Sequence, residues 1–203
     1  MQTTTDVNSV ELCGVAASEP AFTHTVSGWD HYGFMLDVPR LSGRSDRLSV
    51  SMPSYILLGT DVHAGSPLRI RGSLRSRNVH ESEKYRLILA VRAAEASLCE
   101  EVCPENRIEI SGCVCRPPVY RETPLGRRVC DVMLAVRRRY GKSDFLPLIV
   151  WGENAVRAGM LSAGDRIGCV GRFQSREYIK RLETGEERRT AYEVSVSEFW
   201  TAE

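Results

Sequence analysis

The chain has 203 residues, which allows one large domain or two domains of about 100 residues that each bury a modest core. Its hydrophobic content of 42% and charged content of 26% are ordinary for a globular protein and exclude wholesale disorder. No run approaches the roughly 20 apolar residues of a membrane span, and residues 1–5 lack the basic and apolar regions of a secretory signal, so we expect a cytoplasmic protein.

The net charge of +1 conceals an asymmetry between the two halves of the chain. Residues 1–105 hold 10 Lys and Arg against 13 Asp and Glu, net −3, whereas residues 106–203 hold 17 against 13, net +4. Only the second half therefore has the sign expected of a protein that binds a polyanion. The seven cysteines are odd in number and irregularly spaced, which argues against a complete disulfide framework and indicates a reducing compartment.

The first predicted strand, residues 10–12, alternates apolar and polar side chains with the period of two that is typical of a half-buried strand. The sequence around this strand is repeated 98 residues later. Residues 8–14 align with residues 106–112, and Asn, Glu and Gly are identical in the two segments. At the same offset, residues 34–38 align with another alternating strand, residues 132–136. A shared pattern at one fixed offset indicates duplicated structural units.

The duplication continues through each unit. Arg40 aligns with Arg138 and, after one inserted residue, residues 72–77 align with residues 171–176. After the strand that ends at Trp151, residues 153–161 consist largely of helix formers. The sequence therefore predicts one short helix late in the unit.

Five strands with one helix between the third and the fourth is the layout of the OB-fold barrel. We therefore predict an all-β protein with one short helix per unit, built as two tandem five-stranded OB-fold barrels. The predicted units are residues 1–98 and residues 106–203, joined by a linker over residues 99–105.

The second unit carries a series of motifs in a fixed order. It opens with Asn, an apolar strand and Gly at residues 106–112, followed by a Pro turn, Arg and Thr-Pro-x-Gly at residues 117–126. A strand ending in Trp-Gly at residues 148–152 precedes Gly-x-Phe-Gln-Ser-Arg-x-Tyr at residues 171–178. Gly-x-x-Arg and a Glu-Val strand follow within residues 185–194. In this order the motifs resemble those of the bacterial single-stranded DNA-binding protein family.

The resemblance implies an OB fold that binds single-stranded DNA with little sequence preference, with no cofactor, no metal and no catalytic residue. The family's base-stacking positions fall on Phe145, Trp151 and Tyr178. Exposed rings suit that role because unpaired bases present their π faces whatever their identity. The other candidate DNA-binding residues, chiefly cations for phosphates, are Tyr120, Arg116, Arg121, Arg137, Arg138, Arg139, Lys142, Arg172, Arg176 and Lys180.

Some of these assignments have structural alternatives. Phe145 and Trp151 lie near an apolar strand and could belong to the core, and residues 137–139 could form a solvated loop. We favour phosphate contact for this charged run because residues 140–142 make it the basic tip of a hairpin beside the proposed binding groove.

The first unit lacks the stacking aromatics of the second. The corresponding positions hold Arg47 or Leu48, Met52 or Pro53, and Val79 or Asn78. Because this half is also net acidic, we expect it to bind DNA weakly and to serve in assembly. Residues that could form a different binding face, or could simply pack in the barrel or at a subunit interface, are Trp29, Tyr32, Tyr55, Arg71, Arg75 and Arg77.

The resemblance also bears on assembly and partners. Members of the family commonly bring together four OB domains, which implies a homodimer of this two-domain chain, acting on nucleoid DNA in replication, recombination or repair. The family's flexible tail with an acidic tip, which recruits replication and repair proteins, has no counterpart in residues 199–203. Replication or repair proteins therefore stay candidate partners, but without an acidic recruiting tail in this sequence.

Three other classes of function have less support. All four histidines lie in the first unit without a recognisable nucleophile or carboxylate arrangement, which argues against an enzyme. A structural zinc site on Cys99, Cys103, Cys113 and Cys115 would lack the usual two-residue spacings of zinc knuckles. A primosome-type adaptor, in which OB units contact other replication proteins as well as DNA, would keep the fold and change the role.

Overall fold

The computed structural model describes residues 6–81, 84–138, 141–182 and 185–201. Strands make up most of this part of the chain, and two short helices interrupt them. Within the described ranges, no helix is both long enough and apolar enough to cross a membrane.

The elements of the two units follow the same order. The first unit consists of β1 (Asn8–Ala16), β2 (Ala21–Val26), β3 (Trp29–Pro39), β4 (Ser45–Pro53), α1 (Ser54–Thr60), β5 (Pro67–Glu81) and β6 (Lys84–Leu98). The second unit consists of β7 (Asn106–Val114), β8 (Val119–Glu122), β9 (Arg128–Arg137), β10 (Ser143–Trp151), α2 (Gly152–Ala158), β11 (Arg166–Leu182) and β12 (Gly185–Thr201). Each helix therefore falls at the same place in its unit.

Five strands of each unit form a closed ring of hydrogen-bonded pairs. In the first unit the order around the ring is β1, β3, β4, β6 and β5, with β4 and β6 parallel and the other pairs antiparallel. The second unit repeats this ring with β7, β9, β10, β12 and β11. The helix lies between the third and fourth ring strands in chain order. The prediction of an all-β OB fold with one short helix per unit is confirmed.

Each unit also contains a short strand that the sequence analysis did not predict. These strands, β2 and β8, pair with β3 and β9 respectively and extend the outer surface of the ring. In the first unit the connection is the two-residue turn Ser27-Gly28, in which both residues have positive φ, 51° and 81°. Turns of this kind match the right-handed twist of the strands they join, so they favour a hairpin here.

The interior of each ring is filled with apolar side chains. On β10, for example, Leu146, Leu148 and Val150 are buried, and the rings of Phe145 and Trp151 are exposed at alternating positions. Because small barrels of this kind are packed with side chains, a ligand has room only on the outer surface. Strand alternation therefore decides which residues can contact a partner.

The two rings join through β1 and β7, which pair in antiparallel orientation. At the centre of this pairing Val10 lies opposite Ile108, the residue that occupies the same position in the repeat. The two units are thus related by a local two-fold axis within one chain, as two subunits would be in a symmetric dimer.

A buried carboxylate ties the units together beside this axis. Asp144 has no exposed surface and accepts hydrogen bonds from the guanidinium groups of Arg138 and Arg75. Its Oδ1 atom also accepts the backbone N–H of Ser76 at 2.7 Å. Because Arg75 and Ser76 lie on β5 while Asp144 lies on β10, these bonds join the first unit to the second.

The same contact occurs a second time with the units exchanged. Asp46 on β4 is fully buried, pairs with Arg40 and accepts the backbone N–H of Ser175 on β11 at 2.8 Å. Arg40 also donates to the Ser175 carbonyl oxygen at 3.0 Å. Two equivalent carboxylate contacts therefore fix how the units sit against each other.

Candidate nucleic-acid interface

Two aromatic rings of β10 lie on the outside of the second unit. Phe145 is 45% exposed and Trp151 is 38% exposed, so neither is a core side chain. The indole Nε1–H of Trp151 donates a hydrogen bond to the hydroxyl of Ser195 on β12 at 3.1 Å. This bond fixes the edge of the indole and leaves part of the ring open to solvent.

Tyr178, the third predicted stacking residue, lies on the long hairpin formed by β11 and β12. Its ring is 36% exposed, and the guanidinium carbon of Arg176 lies 5.7 Å from the ring centre. Arg176 also approaches Glu193, with Nε 3.7 Å from Oε1. The ring and the cation thus form a combined surface that can meet a base and a phosphate together.

The strand register places these residues on one face. Ser195 lies opposite Ile149 on β10 and opposite Arg172 on β11, so side chains at these positions share a side of the sheet. Trp151 is two residues from Ile149, and Tyr178 is six from Arg172, which keeps both on that side. We call the surface formed by Trp151, Arg172, Arg176 and Tyr178 the second-unit face.

Arg121 on β8 belongs to the same side. It lies opposite Val129, which in turn lies opposite Trp151, and it pairs with Asp131 through a 2.9 Å Nε–Oδ2 contact. Its neighbour Tyr120 lies opposite the buried Cys130 and therefore faces the other side. The structure thus brings Arg121, but not Tyr120, to the second-unit face.

Phe145 lies on the same side of β10 as Trp151 but at the opposite end of the strand. It is six residues along β10 from Trp151, which corresponds to about 20 Å of strand. Phe145 and the exposed Lys142 line a groove against the first unit. The three predicted stacking rings therefore share one side of the sheet but lie at separate positions along it.

The remaining predicted cations have different environments. Arg116 and Arg137 are exposed, and the backbone N–H of Arg137 donates to Asp6 at 2.7 Å. Arg138 differs from the expectation for a phosphate contact, because its guanidinium is paired with the buried Asp144 and joins the two units. Arg139 and the side chain of Lys180 lie outside the described residues.

The first-unit counterparts of the stacking residues follow from the register. Arg47 lies opposite Asp37 as Phe145 lies opposite Ala135, and Pro53 lies opposite His31 as Trp151 lies opposite Val129. Val79 lies opposite Arg86, as Tyr178 lies opposite Arg189. Of the alternatives that the sequence left open, the equivalent residues are Arg47, Pro53 and Val79.

The four cysteines of the zinc alternative are not gathered at one point. Cys99 lies with its sulfur 3.8 Å from that of Cys13, and Cys103 donates its backbone N–H to Cys13 Sγ at 3.3 Å. Cys113 instead lies beside Arg166, and Cys115 is exposed. Among the described residues no group of three or more His, Cys, Asp or Glu side chains is arranged to hold a metal ion.

The sequence analysis missed residues that line the groove beside Phe145. His24 and His31 lie opposite each other across the hairpin of β2 and β3, and Arg92 reaches the groove from β6. Their separation in the sequence hides this proximity. The sequence did contain one signal that the two histidines are close. A Ser-Gly pair lies midway between them, as expected for two strands joined by a two-residue turn.

Comparison with known proteins connects this architecture to a family. Residues 105–201 match the model of the single-strand binding protein family. A single-stranded DNA-binding protein of Clostridium tetani is 39% identical over 80 residues, which cover 36% of this chain and 55% of that protein. One of Halalkalibacterium halodurans is 35% identical over 80 residues, which cover 36% and 48%. The chain thus spans about half the length of these curated relatives.

A solved structure matches over both units. The wild-type single-stranded DNA binding protein from Thermus aquaticus aligns with a TM-score of 0.77 at 22% identity, over 98% of this chain and 94% of that one. This likeness shows a shared fold. The ordered motifs of the second unit and the family match agree: residues 105–201 are similar to the single-strand binding protein family.

Proposed function

We propose that this protein binds single-stranded DNA, with little dependence on base sequence and without catalysing a reaction. The observation that carries the proposal is the second-unit face, where Trp151 and Tyr178 lie beside Arg172 and Arg176. Such a face offers rings for bases and cations for phosphates, the two groups that a single strand exposes.

The physical basis of the proposal is base stacking. Stacking on an aromatic side chain contributes about 1–3 kcal/mol per base and tolerates any base, because every base has a π face. In a duplex these faces are covered by neighbouring base pairs. The rings of Trp151 and Tyr178 are therefore expected to distinguish single strands from duplex. The names and the family of the relatives support this role over that of a primosome-type adaptor.

We also propose that the chain acts as a homodimer with four OB units, in replication, recombination or repair. The first unit offers a candidate contact surface for a second copy. There the rings of Trp29 and Tyr55 are about half exposed and meet edge to face with centroids 4.9 Å apart. Grouped exposed aromatic side chains are typical of protein interfaces.

Salt dependence tests the phosphate contacts of the second-unit face. If about five cations contact phosphates, the logarithm of affinity should fall against the logarithm of salt concentration with a slope near −3.5, about −0.7 per contact. Replacing both Arg172 and Arg176 with alanine should reduce the steepness of this slope by about 1.4. Fluorescence titration with an oligothymidine at four salt concentrations measures it.

The matched control is Arg128→Ala. Arg128 is an exposed arginine of the same unit that pairs with Glu153 and lies on the other side of β9 from the second-unit face. Its removal should leave the slope unchanged. An unchanged slope in the double variant would remove Arg172 and Arg176 from the DNA contacts.

A further inference from the structure

We propose that the first unit has a strand-binding groove of its own, which receives the single strand as it leaves the second unit past Phe145. This inference rests on the proposed function and goes beyond it, because it gives a DNA-binding role to the unit that lacks the stacking aromatics. The groove has a volume of about 690 Å³ and is lined by β2 to β6 together with the hairpin of β9 and β10.

The groove is basic although its unit is net acidic. Its cations are Arg75, Arg77, Arg92, Arg138 and Lys142, and no Asp or Glu is present among the described residues that line it. Arg75 and Arg138 are partly neutralised by Asp144. The exposed cations Arg77, Arg92 and Lys142 therefore supply an excess positive charge that suits a phosphate chain.

A buried polar atom in the groove lacks a partner. His31 is only 1% exposed, and its Nδ1 lies 3.2 Å from the Ser51 hydroxyl, while its Nε2 has no hydrogen-bond partner among the described residues. Buried nitrogen atoms without a partner are rare because they lose their hydration without compensation. The groove thus has in its lining a buried nitrogen whose hydrogen bond is not supplied by the described protein atoms.

The flat surface beside it belongs to His24. The exposed His24 ring stacks on the buried ring of His31, with centroids 5.1 Å apart and planes 13° apart. Burial lowers the pKa of His31, and the charges of Arg92 and His24 lower it further, so the ring is neutral at neutral pH. A neutral imidazole can exchange a hydrogen bond with a base, and the exposed His24 can stack on one.

The groove continues the surface of the second unit. Phe145 lies at the junction, and its backbone N–H donates to the Ser76 hydroxyl of the first unit at 2.7 Å, which holds the ring beside the groove. The opposite arrangement also occurs, because Arg44 and Arg47 of the first unit line a groove with Arg176 of the second unit. Each unit's outer surface is thus completed by a hairpin of the other.

Oligothymidines of two lengths separate this inference from the proposed function. An oligomer of about 8 nucleotides fits one OB unit, whereas one of about 30 nucleotides can cover both. In the full chain, replacing both Arg77 and Arg92 with alanine should weaken binding of the longer oligomer about 25-fold at 0.1 M salt, about fivefold per lost phosphate contact. Binding of the shorter oligomer should stay within about twofold, since the second-unit face holds it.

Two further variants complete the design. His24→Ala should weaken only the longer oligomer, by about fivefold, because it removes an exposed ring that can stack on a base. Arg71→Ala is the matched control, since Arg71 lies on β5 like Arg77, pairs with Glu11 and does not line the groove. It should leave both oligomers bound as tightly as in the unchanged protein.

The outcomes differ for the two proposals. If the Arg77 and Arg92 double variant binds the longer oligomer with unchanged affinity, the groove inference is wrong while second-unit binding stands. If the unchanged protein binds neither oligomer, the proposed function itself is wrong. A selective loss for the longer oligomer supports the groove.

Discussion

Replacing Asp144 with alanine should lower the free energy of unfolding by about 3 kcal/mol, toward the low end of the roughly 3–5 kcal/mol that breaking a buried ion pair costs. The carboxylate has no exposed surface, and its loss leaves the guanidinium groups of Arg138 and Arg75 without their counter-charge. Both arginine side chains keep some contact with water, which moderates the cost. Urea denaturation at pH 7 measures the change.

The pH dependence of this loss provides a second readout. Burial raises the pKa of Asp144, but hydrogen bonds from Arg138, the Ser76 N–H and Arg75 outweigh it and leave the pKa below its ordinary value. A carboxyl with a depressed pKa stabilises the fold above its unfolded-state pKa of about 3.9, and this stabilisation disappears as pH falls through the folded-state pKa. The difference between the variant and the unchanged protein should therefore be constant above about pH 5 and shrink at about pH 3.

Asp131→Ala is the matched control for this prediction. Asp131 also pairs with an arginine, Arg121, but both side chains are about half exposed. An exposed pair contributes about 0–1 kcal/mol, so this variant should lose less than about 1 kcal/mol. Equal losses in the two variants would contradict the role of Asp144 in joining the units.

Tyr178→Ala should weaken single-strand binding about 5- to 150-fold, which corresponds to the loss of about 1–3 kcal/mol of stacking. The salt slope should stay nearly the same because no cation is removed. Tyr178→Phe keeps the ring and should bind nearly as tightly as the unchanged protein. Equilibrium titration with an oligothymidine measures these affinities.

Ile179→Ala controls for a general effect on the hairpin of β11 and β12. Ile179 is the exposed neighbour of Tyr178 and points to the opposite side of the strand. Its truncation should leave affinity unchanged. If Tyr178→Ala also binds with unchanged affinity, the ring does not stack on a base. Tyr178 is a cleaner test than Trp151, whose bond to Ser195 gives it a part in barrel stability as well.

The fold was predictable because its signals are local and occur twice. Alternating strands, a short helix and Gly turns recur at a nearly constant offset, so each half supports the interpretation of the other. The short strands β2 and β8 were missed because they lie on the ring's outer surface and bury few side chains. Without a core side, such strands have no apolar alternation to detect.

The site was only partly predictable because it depends on long-range contacts. Tyr120 and Arg121 are neighbours in sequence, yet strand alternation sends them to opposite sides. Arg138 belongs to a charged run that is typical of a solvated hairpin. In the structure, however, its guanidinium pairs with the buried Asp144 and donates a hydrogen bond to the Ser76 carbonyl oxygen of the first unit. The groove cations Arg77 and Arg92 come together only when β5 and β6 pair.

Binding of single-stranded DNA and duplex DNA of equal length and sequence, at about 0.1 M salt, tests the central claim most directly. Two stacking rings contribute about 1–3 kcal/mol each, so the single strand should bind roughly thirtyfold or more tightly than the duplex. Single strands of different base composition should bind within about fivefold of one another. Equal affinity for the duplex would contradict the assignment of Trp151 and Tyr178 as base-stacking residues.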